Sequence, residues 1–411
     1  MKTTDRRSKT QTGLNRRHFL SGASTLVAAG WVTGTAGDWA LSPAWAATDG
    51  PIKIGVGQDL TGGLAALGTG AWQVAQLWAE QKNAAGGILG RPIELHLEDF
   101  KSDPARAVRA PRRLVEQKEV DVVMGGIFSS TREAIKNTII GRGETLYIYP
   151  QQYEGGDCTE HLFVTGPVPD QQCALLIPYL MSQGAKRFAF IGQDYIWPRR
   201  LNEFARGVVE AEGGEVIFEE YFPFNHVEFS TVVSRVHNEN IDCVFHSVVP
   251  TSLTPFTQQL YDSGFQREGG LVACTYYDEG IFPATPSETV EGIASCLDNY
   301  WSLDLPFNKK LWDAYYDRFA DSKLWMANTS NAQWRGMQLF EQAVIRSNGD
   351  LSLEALSAAM DGASTDEAPG GPAQIVPGTG HCQMNMYVGV NRGGTFEVVQ
   401  SAEMMPSGQC G

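Results

Sequence analysis

The stretch "RFAFIGQDYIWPRRLNEFARGVV", residues 187–209, is an apolar run that stops at Gly192-Gln193-Asp194. It continues as a segment whose Leu201, Phe204, Ala205, Val208 and Val209 share one helical face, the mark of a strand feeding a helix. The chain has already started this way once. From Ile52 the run "IKIGVG" also ends on Gly57-Gln58-Asp59, and the helical stretch after it closes in Gly86-Gly87, as the later one closes in Gly213-Gly214. Working outward, "PIELHLED" from 92, "VDVVMGG" from 120 and "TLYIYP" from 145 read as strands, with "GAWQVAQLWAEQKNAAGG" and "PARAVRAPRRLVEQ" as helices between them. After the restart come "EVIFEEYF" from 215, "IDCVFHSVV" from 241 and "LVACTYY" from 271. Strand–helix alternation builds parallel sheets with right-handed crossovers. With 411 residues the chain exceeds what one core serves. The expected fold is therefore α/β, two lobes each with a mainly parallel doubly wound sheet. After "EGIASCLDNYW" from 291, helices are expected around "KKLWDAYYDRFADS" and "NAQWRGMQLFEQAVIRS", and a hairpin around Arg392-Gly393-Gly394.

Residues 1–46 follow a different grammar. Lys2, Arg6, Arg7, Lys9, Arg16 and Arg17 face only Asp5 and Asp38, and an Ala/Gly/Val-rich stretch then ends in Ala44-Trp45-Ala46. Basic region, apolar region and small-x-small site make an export signal, and Arg16-Arg17 just ahead of Phe19-Leu20 points to the twin-arginine route. Gly30, Gly34, Gly37 and Pro43 argue against an ordinary first helix. The formal net charge is −15, and the chain beyond this basic segment is more acidic still, which leaves no electrostatic footprint for nucleic acid. No uninterrupted apolar run of about 18 residues follows the signal. The seven cysteines (158, 173, 243, 274, 296, 382, 410) include three in apolar strand-like runs, Cys243, Cys274 and Cys296, which read as buried thiols. Cys158 with Cys173, or Cys382 with Cys410, is open to bridging in an oxidising compartment.

Ligands of open α/β sheets bind beyond the carboxyl ends of the strands. That rule selects "GGIFSSTRE", "YPQQYEGG", "GQDYIWPRR", "SVVPTS" and "CTYYDEG". They bring together Ser129, Ser130, Tyr149, Gln151, Tyr153, Tyr195, Trp197, Thr251, Tyr276, Tyr277 and Asp278 as candidate ligand contacts, with Gln152, Glu154, Asp157, Asp194 and Glu279 nearby. Any one tyrosine packs a core as readily as it lines a pocket; six aromatics gathered at the ends of several strands suggest a pocket. Ser130-Thr131-Arg132-Glu133 has capping-box spacing, so a helix should start there with N–H groups pointing outward and Ser130 as its cap, leaving Ser129 for a ligand. Trp197-Pro198 also suits a helix start, and Asp194 and Glu154 suit caps or surface charges. Signatures of enzymes are missing: no Gly-x-Ser-x-Gly, no phosphate loop, no complete Gly-x-Gly-x-x-Gly and no His-Glu-x-x-His. His381-Cys382 is a weak start for a metal site, so no metal, no cofactor and no catalytic residue is expected.

The segments "NAAGGILGRPIEL", "GGIFSSTREAI", "YIYPQQYEGG", "VTGPVPDQQ" and "FIGQDYIWPRRLN" resemble the type 1 periplasmic solute-binding proteins of ABC transporters. Within them, Tyr-Pro-x-x-Tyr-Glu-Gly and Asp-Tyr-Ile-(Tyr/Trp)-Pro-Arg are similar to the branch that binds urea and short-chain amides, near the branched-chain amino acid binders. The resemblance spans the mature chain and implies a monomer with lobes at 47–167 plus 299–350 and at 168–298 plus 351–411. Three crossovers, near 165–170, 296–301 and 348–354, would let the lobes close over a small-molecule ligand and present it to a membrane permease. It implies Ser129, Tyr149, Gln151 and Tyr195 around an amide, with Tyr276 or Tyr277 reaching in from the second lobe. Ile127, Gln151 and Tyr276-Tyr277-Asp278-Glu279 depart from that branch, and the added acids and rings would suit an amine or amino acid ligand instead. An amide-sensing regulator is the alternative from another class.

Overall fold

The computed structural model describes residues 50–281, 285–322 and 326–410, so the export signal expected at 1–46 lies outside the described residues. Strands β1 (Ile52–Gln58), β2 (Ile93–Asp99), β3 (Val122–Gly125), β4 (Leu146–Tyr149) and β5 (Leu162–Val164) form a five-stranded sheet in the order β2-β1-β3-β4-β5, parallel throughout. Strands β6 (Arg187–Gln193), β7 (Glu215–Phe222), β8 (Cys243–Ser247), β9 (Leu271–Cys274) and β10 (Ala294–Leu297) repeat the scheme in parallel order β7-β6-β8-β9-β10. The short β11 (Ser364–Thr365) and β12 (Ala373–Ile375) and the hairpin β13 (Cys382–Arg392) and β14 (Thr395–Met405) complete this second sheet antiparallel. In both sheets the order reverses beside the strand that ends in Gly-Gln-Asp, so the sequence repeat marks two equivalent switch points. Gln58 Nε2 donates to Gln333 Oε1 (3.0 Å), and the backbone N–H of Val249 donates to Gln193 Oε1 (3.2 Å), each glutamine fastening a neighbouring element to its strand end.

The helices are α1 (Ala65–Ala84), the short turns α2 (Pro104–Ala107) and α3 (Ala110–Arg112), α4 (Ser129–Lys136), α5 (Pro169–Ser182), α6 (Ile196–Ala211), α7 (Ser230–Asn238), α8 (Pro250–Asp262), α9 (Pro306–Phe319), α10 (Asn328–Arg346) and α11 (Leu353–Met360). The expected helix at "PARAVRAPRRLVEQ" is broken into short pieces around Pro111, which cannot donate within a helix. α5 and α8 escaped the sequence reading because Pro178 and Pro255 lie inside them. α10 packs on α1, and α11 packs on α10 and β4. The return to the second sheet therefore comes after α11, at Ser364–Thr365, rather than at 348–354, and α11 lies on the first-sheet side although 351–411 was assigned to the second lobe.

One disulfide joins Cys158 to Cys410, which is neither of the pairings entertained from sequence. Cys173 and Cys382 are buried free thiols, one on the inner face of α5 and the other inside β13, and Cys243, Cys274 and Cys296 are buried free thiols as expected.

Candidate functional site

The loops at the carboxyl ends of both sheets enclose about 490 Å³ of empty space, the open mouth included. From the first lobe come Leu64 and Leu67 after β1, Ile127, Phe128 and Ser129 after β3, and Gln151 and Gln152 after β4. From the second come Tyr195 and Trp197 at the start of α6, Val249 and Pro250 at the start of α8, and Tyr276 and Ile281 after β9. Asn328, the first residue of α10, closes the set. The lobes touch around this space. Phe128 meets Tyr195 edge to face at 5.7 Å between ring centroids, and a Cβ added to Gly63 would lie 2.4 Å from the Thr251 methyl.

Apolar groups dominate the walls, and among the described residues no lining side chain carries a formal charge. The polar groups present are partly committed. Ser129 Oγ donates to Glu154 Oε2 at 2.5 Å. Gln151 Oε1 accepts from Thr329 Oγ1 (2.6 Å) and Gln152 Oε1 from Gln172 Nε2 (3.0 Å), leaving both amide nitrogens as the open half of the side chain. Trp197 is 6% exposed, and its Nε1–H is buried with no hydrogen-bond partner among the described residues. An indole N–H buried without an acceptor is a donor in want of one.

Of the sequence-selected contacts, Ser129, Gln151, Tyr195, Trp197 and Tyr276 line this space. Ser130 does not, and it is not the cap: α4 starts at Ser129 with Phe128 at the cap position (φ −68°, ψ 137°), two residues earlier than the capping-box spacing implied. Tyr149 and Tyr153 are fully buried behind the wall. Tyr149 gives its hydroxyl proton to the Ile127 carbonyl (2.7 Å), and the Tyr153 hydroxyl meets His381 Nε2 (2.5 Å) and accepts from the Asp157 N–H (3.1 Å). Their rings flank the buried Arg132 guanidinium at 5.2 and 4.4 Å, a cation–π arrangement that serves the core. Tyr277 is spent on Thr285 Oγ1 (2.7 Å), and Thr251 packs on Gly63 instead of reaching inward. Residues missed from sequence are mostly apolar: Leu64, Leu67, Phe128, Val249, Pro250 and Ile281. Applying the strand-end rule to the loop after β1 would have reached Leu64; nothing in the sequence singled out Asn328.

Asp278 also stands outside the wall. Its Oδ1 accepts from the N–H groups of Gly280 (2.9 Å) and Ile281 (3.2 Å), and its Oδ2 from the N–H of Asn328 (2.6 Å), so it ties the loop after β9 to the first turn of α10. Glu279 Oε1 accepts from the Ser302 N–H (3.1 Å). Burial, reinforced by the charge of Glu279, pushes the Asp278 carboxyl up to about 8 despite those donors. A carboxyl whose pKa rises on folding stabilises the fold while protonated, and that contribution is lost as pH climbs from about 4, its unfolded value, towards 8. The melting temperature of the parent should therefore fall between pH 5 and pH 8.5. Asp278→Asn should melt lower at pH 5, where its amide opposes the Asn328 N–H, but with a shallower decline; an unchanged slope by circular dichroism would show that Asp278 does not titrate there.

The chain matches the Periplasmic binding protein family over residues 51–395. An amino acid binding protein of Pseudomonas aeruginosa is 26% identical over 249 residues, 59% of this chain and 64% of that protein. This chain thus aligns with less than two thirds of that curated relative. An ABC-transporter solute binding protein from R. palustris in complex with 4-hydroxybenzoate superposes with a TM-score of 0.76 at 21% identity, covering 87% of this chain and 98% of the other. A branched-chain amino acid transporter substrate binding protein from Streptococcus pneumoniae in complex with isoleucine gives 0.75 at 20% identity, covering 87% and 100%. At such identities the superpositions establish a shared fold, while the family match spans nearly all of the described chain and carries the assignment. The chain belongs to the periplasmic binding protein family.

Proposed function

We propose that this protein is exported by the twin-arginine route, captures a small uncharged amide or urea between its lobes, and delivers it to a membrane permease. The observation that carries the reading is the wall itself, contributed by both lobes and lined by apolar and neutral polar groups only. Sealing a charged solute into such a space would leave its charge without a counter-ion, at a cost of several kcal/mol. A neutral amide asks only for hydrogen-bond partners, which Ser129, Gln151, Gln152 and Trp197 offer. The export signal speaks against a cytoplasmic amide sensor. An amine or amino acid reading depended on Asp278 or Glu279; neither lines the space, both Asp278 oxygens accept from backbone N–H groups of the loop after β9 and of α10, and Glu279 Oε1 accepts from the Ser302 N–H. The test is isothermal titration calorimetry with acetamide, propionamide, urea, isoleucine and 4-hydroxybenzoate. Saturable heats for an amide or urea are expected. Binding of isoleucine or 4-hydroxybenzoate with no heat from the amides would reject the proposal.

A further inference from the structure

Ser129 sits on the cleft wall, but its hydroxyl proton is already assigned. It is donated to Glu154, whose side chain is 4% exposed and whose other oxygen accepts from Arg132 Nη2 at 2.9 Å. Arg132 is held in turn by Asp157 and Glu133, each at 2.9 Å, and by the faces of Tyr149 and Tyr153. A serine has one proton and two lone pairs, and a carboxylate paired with a guanidinium can only accept. Ser129 Oγ therefore meets the cleft as an acceptor. The second lobe offers the opposite polarity: Trp197 presents an N–H with no partner among the described residues, while beside Ser129 on the first lobe Gln151 has its oxygen occupied by Thr329.

We infer that Glu154 is a positioning residue that sets the hydrogen-bond polarity of the pocket: by holding the Ser129 proton, it makes the site demand a ligand that donates an N–H at Ser129 while accepting at the opposite wall. This rests on the functional reading above and deepens it, because the molecule that donates and accepts from adjacent atoms without charge is a primary amide. Arg132 makes the arrangement one-directional. In Glu154→Gln the amide oxygen is drawn to the guanidinium, which turns Nε2 towards Ser129. The serine proton is then released into the cleft, and the site's preference shifts towards an acceptor.

Acetamide and acetone test this, since they share a shape and a carbonyl and differ in the N–H donor. By calorimetry the parent should prefer acetamide by about 100-fold or more, as sites built around a ligand N–H do. Glu154→Gln should narrow that ratio by about tenfold or more, and Ser129→Ala, which keeps the ion network and guards against a folding defect in the first variant, should narrow it as well. A structural role for Glu154 would weaken both ligands together and leave the ratio unchanged, and that result overturns the inference. Equal affinities of the parent for acetamide and acetone would overturn it too, with the functional reading intact. Failure of the parent to bind any amide would overturn both.

Discussion

Arg335→Ala should lower stability by about 3–5 kcal/mol. Arg335 lies on α10 and is 1% exposed. Its Nη2 meets Asp298 Oδ2 at 2.5 Å and the Pro369 carbonyl at 3.0 Å, and its Nη1 donates to the Thr165 carbonyl at 2.7 Å. Thr165 directly follows β5, Asp298 follows β10, and Pro369 lies between β11 and β12. One guanidinium thus fastens the two passages that leave β5 and β10 to the β11–β12 loop of the second sheet. Removing it strands the Asp298 carboxylate, which is fully buried, and frees two carbonyls. The explanation is separable from lost packing. Arg335→Leu with Asp298→Leu removes both charges and should lose much less than the two single losses added together. Thermal unfolding of the four proteins decides it, and additive losses would mean that the unpaired carboxylate is not the cause.

The same contrast between position along the chain and direction of a side chain explains how far the sequence could be read. The strands were legible because parallel strands buried on both faces are continuous apolar runs, and β4, read within "TLYIYP", is buried at all its residues. The Gly-Gln-Asp repeat was legible because both copies end a switch strand. Helices with an internal proline were not, since local chemistry argues against them and tertiary packing overrides it. At the site, sequence identified the correct end of the sheets but not which way each ring turns. Tyr147 and Tyr149 are two apart on β4, so they share a face, and they give their hydroxyls to the carbonyls of Gly125 and Ile127 beneath the cleft. A buried phenol settles wherever a carbonyl is in reach, and that carbonyl belongs to another strand. Asp278 misled for a similar reason: its third donor is the N–H of Asn328, 50 residues further along the chain.

Trp197 is where those limits matter most for binding. Its indole is both a wall, at 6.2 Å from the Tyr195 ring and 6.0 Å from the Tyr276 ring, and a buried donor without an acceptor among the described residues. The two roles predict different losses. Trp197→Ala removes both, and a central aromatic anchor in a desolvated pocket is typically worth 2–4 kcal/mol, so acetamide affinity should fall by about 30- to 1000-fold. Trp197→Phe keeps most of the wall and loses the N–H alone, which should weaken binding by about tenfold. Isothermal titration of both variants, each checked to melt cooperatively, separates the contributions. Parent-like affinity in the phenylalanine variant would mean that the ligand oxygen finds its donor elsewhere, with the Gln151 and Gln152 amides of the first lobe as alternatives. Parent-like affinity in the alanine variant would be more serious, because a molecule sealed between these lobes cannot ignore the loss of one of the four aromatic side chains that enclose it.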